Sequence, residues 1–310
     1  MHIFRTLNDI NISVNQGLVI ALGNFDGVHR GHQALICKAV ERAKALGLSS
    51  AVLTFNNHPL NIIKGDAVVK TILSFEEKAE IIEGLGVDFL FSIDFDEEIQ
   101  NLPAFDFAKS ILVERCHAKE AICGFNYSYG QGAKGSPKTL CEQGKALGFG
   151  VSVVDEFLVG GECVSSTLVR KLLAEGKMAK YEEMVGRRYI IDGIVVEGEQ
   201  NGRKMGFPTA NLSLSDAMAQ PKNGVYITRT HLGGKVYNSI TNVGNKPTIG
   251  LFKKNAETHI FDFNQYIYGE KLRVEFIKKL RDEQTFASMP DLSAQIDKDC
   301  ENARDFFLYM

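Results

Sequence analysis

A chain of 310 residues, 45% hydrophobic and 24% charged, is long enough for about two domains and has the composition of a soluble globular protein. Its formal net charge of -3 gives no reason to expect nucleic acid or an anionic membrane as a partner, and no apolar run approaches the ~18 residues of a membrane helix. Six scattered cysteines without a C-x-x-C pair predict reduced thiols, and the first residues lack a signal-peptide layout, so we expect a cytoplasmic protein.

Short apolar runs alternate with longer helical patterns from about residue 18 to 155. Ser74 and Glu77 form a capping-box pattern that begins one helix, and Ser136 followed by Pro137 begins another. Strands are predicted within the runs GLVIALG, SSAVLTF, VDFLFSI, EAICGF and VSVVDEF, and a further helix within PAFDFAKSILVERC. This alternation predicts a parallel sheet covered on both faces, with ligands bound beyond the carboxyl ends of its strands.

The pattern changes in the second half of the chain. One or two helices are predicted to end near Gly186, and short β-rich runs separated by turn residues follow from Tyr189. These runs predict a small antiparallel barrel or sandwich. The tail is amphipathic and predicts a terminal helix, whose apolar face would carry Leu292, Ile296, Cys300 and Ala303. We therefore expect two domains with a boundary near residue 185.

Two histidines, His29 and His32, follow the first buried strand within the stretch GNFDGVHRGH. They could be metal ligands, but a zinc site needs a third protein ligand. His58 is the only nearby candidate, and no acidic residue has a helpful spacing. They could also simply satisfy backbone groups at a turn.

The third interpretation of the same stretch is a nucleotide-phosphate site. Gly23, Gly27 and Gly31 let the backbone approach a ligand closely. A helix beginning near Gly31 would direct its free N–H groups and the positive end of its dipole toward the same point. Two imidazoles could then donate hydrogen bonds to phosphate oxygens. We favour this interpretation.

Two motifs resemble the signatures of nucleotidyltransferases, which join a nucleotide α-phosphate to an acceptor and expel pyrophosphate. His29 to His32 resembles H-x-G-H, and the later stretch VSSTLVR resembles [I/V]-S-S-T-x-x-R. Ser165, Ser166 and Thr167 can cap a helix, with Arg170 one turn further along. The resemblance implies that these hydroxyls and the arginine hold the β- and γ-phosphates of the nucleotide.

Further stretches narrow the resemblance to one family. TFNNHP resembles T-F-x-P-H-P with Asn57 in place of the first proline, and GFNYSYGQGAKG resembles a G-x-[D/N]-F-x-F-G loop. Together they resemble the FMN adenylyltransferase domain of bacterial bifunctional riboflavin kinase/FAD synthetases. The resemblance implies His29 and His32 as catalytic groups. It also implies a nucleotide- and flavin-binding set made of Gly23, Asn24, Phe25, Asp26, Gly31, His58, Asn126, Ser165, Ser166, Thr167 and Arg170.

The second half resembles the riboflavin kinase domain of the same family. GFPTAN matches the P-T-A-N motif, in which Thr209 and Asn211 are implied to hold Mg²⁺ and phosphate oxygens. Glu257, within ETHIFDF, matches the catalytic base for the ribityl hydroxyl. The resemblance further implies that Gly198 and Lys204 belong to a loop that folds over ATP. It also implies a nucleotide-site role for Asn242 and a flavin-side contact for Arg281.

The resemblance implies an α/β Rossmann-like nucleotidyltransferase domain over residues 1–184, followed by a small antiparallel β-barrel domain with a C-terminal helix over residues 185–310. We expect ATP and riboflavin to give FMN, and FMN with a second ATP to give FAD and pyrophosphate, with Mg²⁺ as cofactor. Partners would be these small molecules alone. The sequence leaves the oligomeric state open, with a monomer or a transient oligomer as the alternatives. Two alternatives stay open: a nucleotidyltransferase for another acceptor, and a flavin- or nucleotide-binding regulator without catalysis.

Overall fold

The protein folds as two compact units, Met1–Ser166 and Thr167–Met310, in a computed structural model. The structure describes residues 1–10, 17–65, 67–197, 202, 205–248 and 251–310, without the side chains of 246–248 and 251–253.

A six-stranded parallel sheet forms the centre of the first unit. Its strands are β1 (His2–Phe4), β2 (Leu18–Leu22), β3 (Ser49–Phe55), β4 (Phe89–Ile93), β5 (Ala118–Gly124) and β6 (Gly150–Val154). They lie in the order β1-β4-β3-β2-β5-β6. The chain runs outward from β2 through β3 to β4 and then returns to β5 on the other side of β2. The point at which the strand order reverses therefore lies at β2, where open α/β sheets bind ligands.

Helices cover both faces of this sheet. They are α1 (Arg30–Leu46), α2 (Pro59–Lys64), α3 (Phe75–Gly84), α4 (Glu97–Asn101), α5 (Ala104–Asp106) and α6 (Pro137–Leu147), followed by a short hairpin of β7 (Leu158–Val159) and β8 (Glu162–Cys163). Alternate residues of β2 enter two separate apolar cores, Leu18 and Ile20 in one, Val19 and Ala21 in the other. The predicted doubly covered parallel sheet is confirmed.

Local signals in the sequence set several helix ends. Ser74 and Glu77 form the predicted capping box at the start of α3, and Ser136 caps α6. The predicted helix over PAFDFAKSILVERC forms, but its main part, Phe107–Arg115, has π-helical hydrogen bonding, with the Cys116 N–H donating to the Ile111 carbonyl. Apolar periodicity over nine residues does not distinguish this spacing from an α-helix.

The second unit begins with α7 (Ser166–Glu175) and α8 (Met178–Val185) and continues as an antiparallel sheet. Its strands are β9 (Tyr189–Ile194), β10 (Ala210–Ser213), β11 (Gly224–Leu232), β12 (Lys235–Thr248), β13 (Leu251–Ile260) and β14 (Lys271–Arg281), in the order β10-β13-β12-β11-β14-β9. A bridge between Val196 and Asn211 brings the two edges together. The sheet is thus a nearly closed barrel, which decides between the predicted barrel and sandwich.

The terminal helix α9 (Met289–Leu308) packs on the outer face of the barrel. Cys300 and Ala303 of its predicted apolar face lie in one core with Val225 and Ile227 of β11. Burial of these side chains holds the helix on the sheet. The predicted terminal helix is confirmed.

Candidate functional site

The loop after β2 has an unusual backbone conformation. Phe25, Gly27 and Val28 all have positive φ angles, of 49°, 82° and 34°. Such angles are unfavourable for a β-branched or bulky side chain, and residues held in them cluster at functional sites. Phe25 and Val28 are fully buried. The surrounding structure must therefore hold this loop, which we call the front loop (residues 23–28).

Hydrogen bonds to distant parts of the first unit hold the front loop. The Thr54 hydroxyl donates to the Asn24 carbonyl at 2.8 Å, and the Ser166 hydroxyl donates to the Asp26 carbonyl at 2.8 Å. The Asp26 carboxylate accepts the Ile72 N–H at 2.9 Å. The predicted residues Asn24, Asp26 and Ser166 thus lie together, although 140 residues separate the last two in sequence.

The two histidines lie directly after the front loop, at the start of α1. His29 is the N-cap: its Nδ1 accepts the His32 N–H at 3.3 Å, so neutral His29 carries its proton on Nε2. The two imidazole rings stack in parallel, with centroids 3.6 Å apart, and Phe25 meets His32 edge-on. A Cβ on Gly31 would lie 3.3 Å from the His29 ring, so glycine makes room for the stack.

This geometry favours the phosphate interpretation over a metal site. Stacked parallel rings direct their nitrogens side by side rather than toward one ion, and one nitrogen of His29 already serves as the helix cap. Within the part of the chain that the structure describes, no three His, Cys, Asp or Glu side chains lie close enough to hold a metal ion. The rings instead lie at the N-terminus of a 17-residue helix, which attracts anions.

The end of β3 adds a small polar cavity beside the front loop. The cavity, of about 30 Å³, is lined by Asn24, Asp26, Phe55, Asn56, Asn57, His58, Thr71, Leu73, Phe75 and Lys78. His58 caps α2 by accepting the Leu60 N–H at 3.3 Å. Burial lowers the pKa of Lys78 to about 8, and Asp26 acts against this shift. The cavity thus contains a buried ammonium group that sequence reasoning did not identify.

Two further predicted residues, Asn126 and Ser165, belong to the first unit. Asn126 is exposed just after β5, next to β2 in the sheet, and Ser165 is half-buried one residue before Ser166. Thr167 and Arg170 lie on α7 in the second unit, the first exposed and the second half-buried. The carboxyl ends of β2, β3 and β5 therefore carry the polar groups, as the predicted topology requires.

In the second unit, three predicted residues lie side by side on adjacent strands. Asn211 of β10 pairs with Glu257 of β13, and Glu257 pairs with Asn242 of β12. Directly paired residues of antiparallel strands share one face of the sheet. Asn255 Nδ2 donates to Asn211 Oδ1 and to Glu257 Oε1, each at 3.3 Å. The structure thus brings an amide, a carboxylate and a second amide into one row.

Thr209 and Asn211 also line a cavity in the second unit that is larger than the one beside the front loop. Its volume is about 270 Å³, and its walls include Pro208, Ala210, Ile260 and the segment from Phe263 to Tyr268. A Cβ on Gly202 would lie 3.4 Å from the Thr209 side chain, so Gly202 lies beside the motif. Gly198 and Lys204, predicted to cover ATP, lie outside the described residues.

Arg281 makes a structural contact in addition to its predicted flavin-side role. Its guanidinium donates to both carboxylate oxygens of Asp299 on α9, at 2.7–3.1 Å. Asp299 is buried and also accepts from Gln295. Val225 pairs with Asn242 on one side and with Arg281 on the other. Arg281 is therefore part of the sheet face that carries Glu257.

Two functional candidates of the second unit were missed by sequence reasoning. Asn255 contacts Glu257, and His259 donates from Nδ1 to the carbonyl of Pro208, 2.9 Å away, since a carbonyl only accepts. Burial lowers the pKa of His259. Both residues lie two positions from Glu257, so the period of two along a strand would have identified them as sharing its face.

Two family models divide the chain between them. One, FAD synthetase, matches residues 11–168, and the other, riboflavin kinase, matches residues 185–307. Both descriptions are of enzymes that transfer a phosphate-containing group. The α/β domain and the barrel are therefore the two domains of a transferase.

Curated relatives cover nearly the whole chain. The bifunctional riboflavin kinase/FMN adenylyltransferase of Bacillus subtilis strain 168 is 35% identical over 93% of this chain and 92% of its own length. The enzyme with the same name from Escherichia coli strain K12 is 34% identical over 99% of this chain and 98% of its own length. The chain belongs to the family of bifunctional riboflavin kinase/FMN adenylyltransferases.

A solved structure is similar to this chain over nearly its whole length. It is a crystal structure described as a macrolide-efflux protein from Streptococcus pneumoniae, 30% identical to this chain, with a TM-score of 0.89 over 97% of this chain and 98% of that one. Among the residues described here, no helix combines the length and apolar character needed to cross a bilayer.

Proposed function

We propose that this chain phosphorylates riboflavin with ATP to FMN in residues 185–310, and adenylates FMN with a second ATP to FAD and pyrophosphate in residues 1–184. The observation that carries this proposal is the presence of both matched domains in one chain, in the order found in relatives that share its full length. We place the functional boundary between residues 184 and 185. The two family models, which end at 168 and begin at 185, support that division.

In the kinase reaction, Glu257 is the general base. The ribityl hydroxyl must lose a proton as it attacks the γ-phosphate of ATP, and a carboxylate within hydrogen-bond reach suits that step. The Asn255 amide donates to Glu257 Oε1 and so fixes the orientation of the carboxylate. This contact and the cross-strand pairing of Glu257 with Asn211 support the assignment.

Mg²⁺ fits the residues beside that base. Thr209 and Asn211 offer hard oxygen atoms at the edge of the larger cavity, which is the donor chemistry that Mg²⁺ requires. The Asn255 amide donates to Asn211 Oδ1, so the side-chain oxygen of Asn211, and not its nitrogen, faces Asn255. When bound, Mg²⁺ would neutralise charge on the ATP phosphates. His259 holds the carbonyl of Pro208 and thereby positions Thr209, the next residue.

In the adenylyl transfer, the nucleophile needs no base because the FMN phosphate is already ionised. The site must hold two anions together and stabilise the charge that grows at the α-phosphate. His29 and His32, at the N-terminus of α1, are the groups we assign to that role. We assign Ser165, Ser166, Thr167 and Arg170 to the phosphates of the leaving group.

These assignments imply small-molecule substrates alone and a cytoplasmic location. The cysteines that the structure describes are all free thiols, as expected for a reducing compartment. We expect a monomer or a transient oligomer and no nucleic-acid partner.

Two single substitutions separate the activities. With riboflavin, ATP and Mg²⁺, His32→Ala is expected to accumulate FMN and to lose about 10²–10³-fold in FAD formation, because a donor to the transition state is gone. Glu257→Ala is expected to lose about 10²–10⁴-fold in FMN formation and still adenylate supplied FMN. Chromatographic separation of the flavins measures both.

Exposed positions provide matched controls for this experiment. His2→Ala on β1 and Glu270→Ala next to β14 should leave both activities near those of the unsubstituted protein. A folded His32→Ala or Glu257→Ala variant without either activity would contradict the assigned division. An unsubstituted protein that binds flavin but forms neither FMN nor FAD would instead favour the regulator.

A further inference from the structure

Lys78 is a buried cation that the reactions described above do not use. It lies on α3, is 8% exposed, and shares the buried side of that helix with Ala79 and Ile82. Its ammonium donates to the Phe55 carbonyl at 2.8 Å and to the Thr54 hydroxyl oxygen at 3.4 Å. Burying a charge is costly, and an apolar residue often serves stability better at such a position. Packing alone therefore does not explain why a lysine occupies this position.

Thr54 connects this ammonium to the front loop. The Thr54 hydroxyl gives its single proton to the Asn24 carbonyl at 2.8 Å, so toward Lys78 it can only accept. Lys78, Thr54 and Asn24 thus form one directed chain of hydrogen bonds, in which the charge strengthens the bond to the loop. Thr54 is fully buried, so water does not compete for these bonds.

Asn24 is the last residue before the strained part of the front loop. Phe25, Gly27 and Val28 have positive φ angles and lead directly into His29. Strain of this kind persists only where the surroundings over-determine it. Asp26, inside the strained segment, lines the same cavity as Lys78 and attracts its charge. The ammonium therefore acts on the loop at two points, through Thr54 and through Asp26.

We propose that Lys78 is a positioning residue for adenylyl transfer, which holds the front loop in its strained conformation through Thr54 and thereby places His29 and His32. The proposal rests on the function proposed for the first unit. Lys78 need not touch the substrate. Its charge stabilises the arrangement of groups that do.

The ionisation of Lys78 gives this role a pH signature. Asp26 from the front loop and His58 from the start of α2 line its cavity, while Glu77 of α3 is occupied by the capping box. Burial lowers the pKa of Lys78 to about 8, so the ammonium is lost as the pH rises through that value. Adenylyl transfer should therefore fall above about pH 8, while the kinase activity of the same molecules provides the reference.

The contribution of Lys78 to stability should change in the opposite direction. The unfolded chain holds the proton of this lysine up to about pH 10.4, so between pH 8 and that value Lys78 binds more protons in the unfolded state than in the folded state. The contribution of Lys78 to the free energy of unfolding therefore rises across this interval, and the difference in stability between the unsubstituted protein and Lys78→Met measures it. A lysine with a merely structural role would not lower adenylyl transfer while its own contribution to stability rises.

The test uses the full-length protein and the variants Lys78→Met, Lys78→Arg, Thr54→Val and Lys78→Met/Thr54→Val. Lys78→Met should lower kcat for FAD formation about 10²-fold, as a small misplacement of reacting groups does, and leave riboflavin phosphorylation within about 2-fold. Because part of the effect of Lys78 passes through Thr54, the double substitution should cost less than the sum of the two single substitutions. Lys78→Arg keeps its charge and should abolish the loss of activity above pH 8.

Each other outcome overturns the proposal. Unchanged FAD formation by Lys78→Met, additive effects of the two substitutions, or a wild-type loss above pH 8 that persists in Lys78→Arg would each do so. If Lys78→Met fails to fold, Thr54→Val together with the pH profiles of the unsubstituted protein and Lys78→Arg decides the matter. An unsubstituted protein that forms no FAD at any pH contradicts the proposed function instead, so the two failures are distinguishable.

Discussion

Gly31 has a steric role in the histidine stack. A Cβ at this position would lie 3.3 Å from the Cε1 and Nδ1 atoms of the His29 ring and 3.4 Å from the Cβ of Phe157. Its neighbours would have to move by a few tenths of an ångström. Because His29 also caps α1, its ring cannot move without weakening that hydrogen bond.

Gly31→Ala is therefore expected to lower FAD formation about 10-fold, since small displacements of reacting groups are costly in rate. FMN formation should be unchanged, and steady-state assays of both reactions measure the difference. Gly84→Ala on α3 is the matched control: a Cβ there has open space, and alanine should stabilise the helix by about 0.5–1 kcal/mol. Equal FAD formation by Gly31→Ala and the unsubstituted protein would contradict the steric role.

Asn57 shows how the chain accommodates its departure from the family's proline. The side-chain amide of Asn57 donates to the Phe95 carbonyl at 3.1 Å and accepts the Phe95 N–H at 2.8 Å. The amide therefore pairs with the backbone much as a neighbouring strand would. These two bonds connect the end of β3 to the segment after β4, so the cavity wall is fixed without the rigidity of proline.

At the scale of elements, the barrel interior contains a connected set of buried hydroxyls. Thr258 contacts Thr241 at 2.9 Å, Thr241 contacts Thr228 at 2.9 Å, and Ser239 contacts both Thr228 and Thr230. All five are fully buried. Ser239 donates to the Thr228 carbonyl, so the proton order is fixed along the chain: Thr258 donates to Thr241, Thr241 to Thr228, and Thr228 to Ser239.

The order of contacts among these hydroxyls predicts unequal effects of two similar substitutions. Thr241→Val removes the central link and leaves both Thr228 and Thr258 without a partner at that position, so we expect a loss of about 1–3 kcal/mol in the free energy of unfolding. Thr230→Val removes only a terminal donor and should cost less. Chemical denaturation followed by fluorescence or circular dichroism measures both, and equal losses would contradict the ordered chain.

The sequence predicted most elements because their signals are local. The capping box of Ser74 and Glu77 and the alternating apolar runs each act within a few residues. Strand β10 has only four residues, too few for a periodic pattern, and forms a strand by pairing with β13. The row of Asn211, Glu257 and Asn242 likewise depends on register between distant strands, which no single stretch encodes.

Candidate residues divide in the same way. Family motifs predict roles for the two histidines and Glu257, because short stretches of sequence carry those motifs. Lys78 was missed because a lysine in a helical pattern predicts a solvated charge, and only the tertiary fold buries it against Thr54. Asp299 was missed in the same way, because its pairing with Arg281 exists only once α9 lies on the barrel.

At the scale of the whole molecule, the two reactions are consecutive but carried by separate units. FMN is the product of one and the substrate of the other. The row that contains Glu257 lies within the second unit, and the front loop with its histidines lies within the first. Substituting one site should therefore leave the other intact, and FMN is small enough to diffuse between molecules.

A mixture of two defective variants should consequently restore the complete pathway. His32→Ala alone should stop at FMN, and Glu257→Ala alone should make no FAD from riboflavin. Mixed together with riboflavin, ATP and Mg²⁺, they should form FAD after a lag during which FMN accumulates in solution. Raising the concentration of His32→Ala should shorten that lag, because it raises the rate of FMN supply; time-resolved chromatography of the flavins measures it. If the mixture forms no FAD although each variant performs its own half-reaction, the FMN formed by His32→Ala is not released to solution, which would contradict diffusion of FMN between molecules.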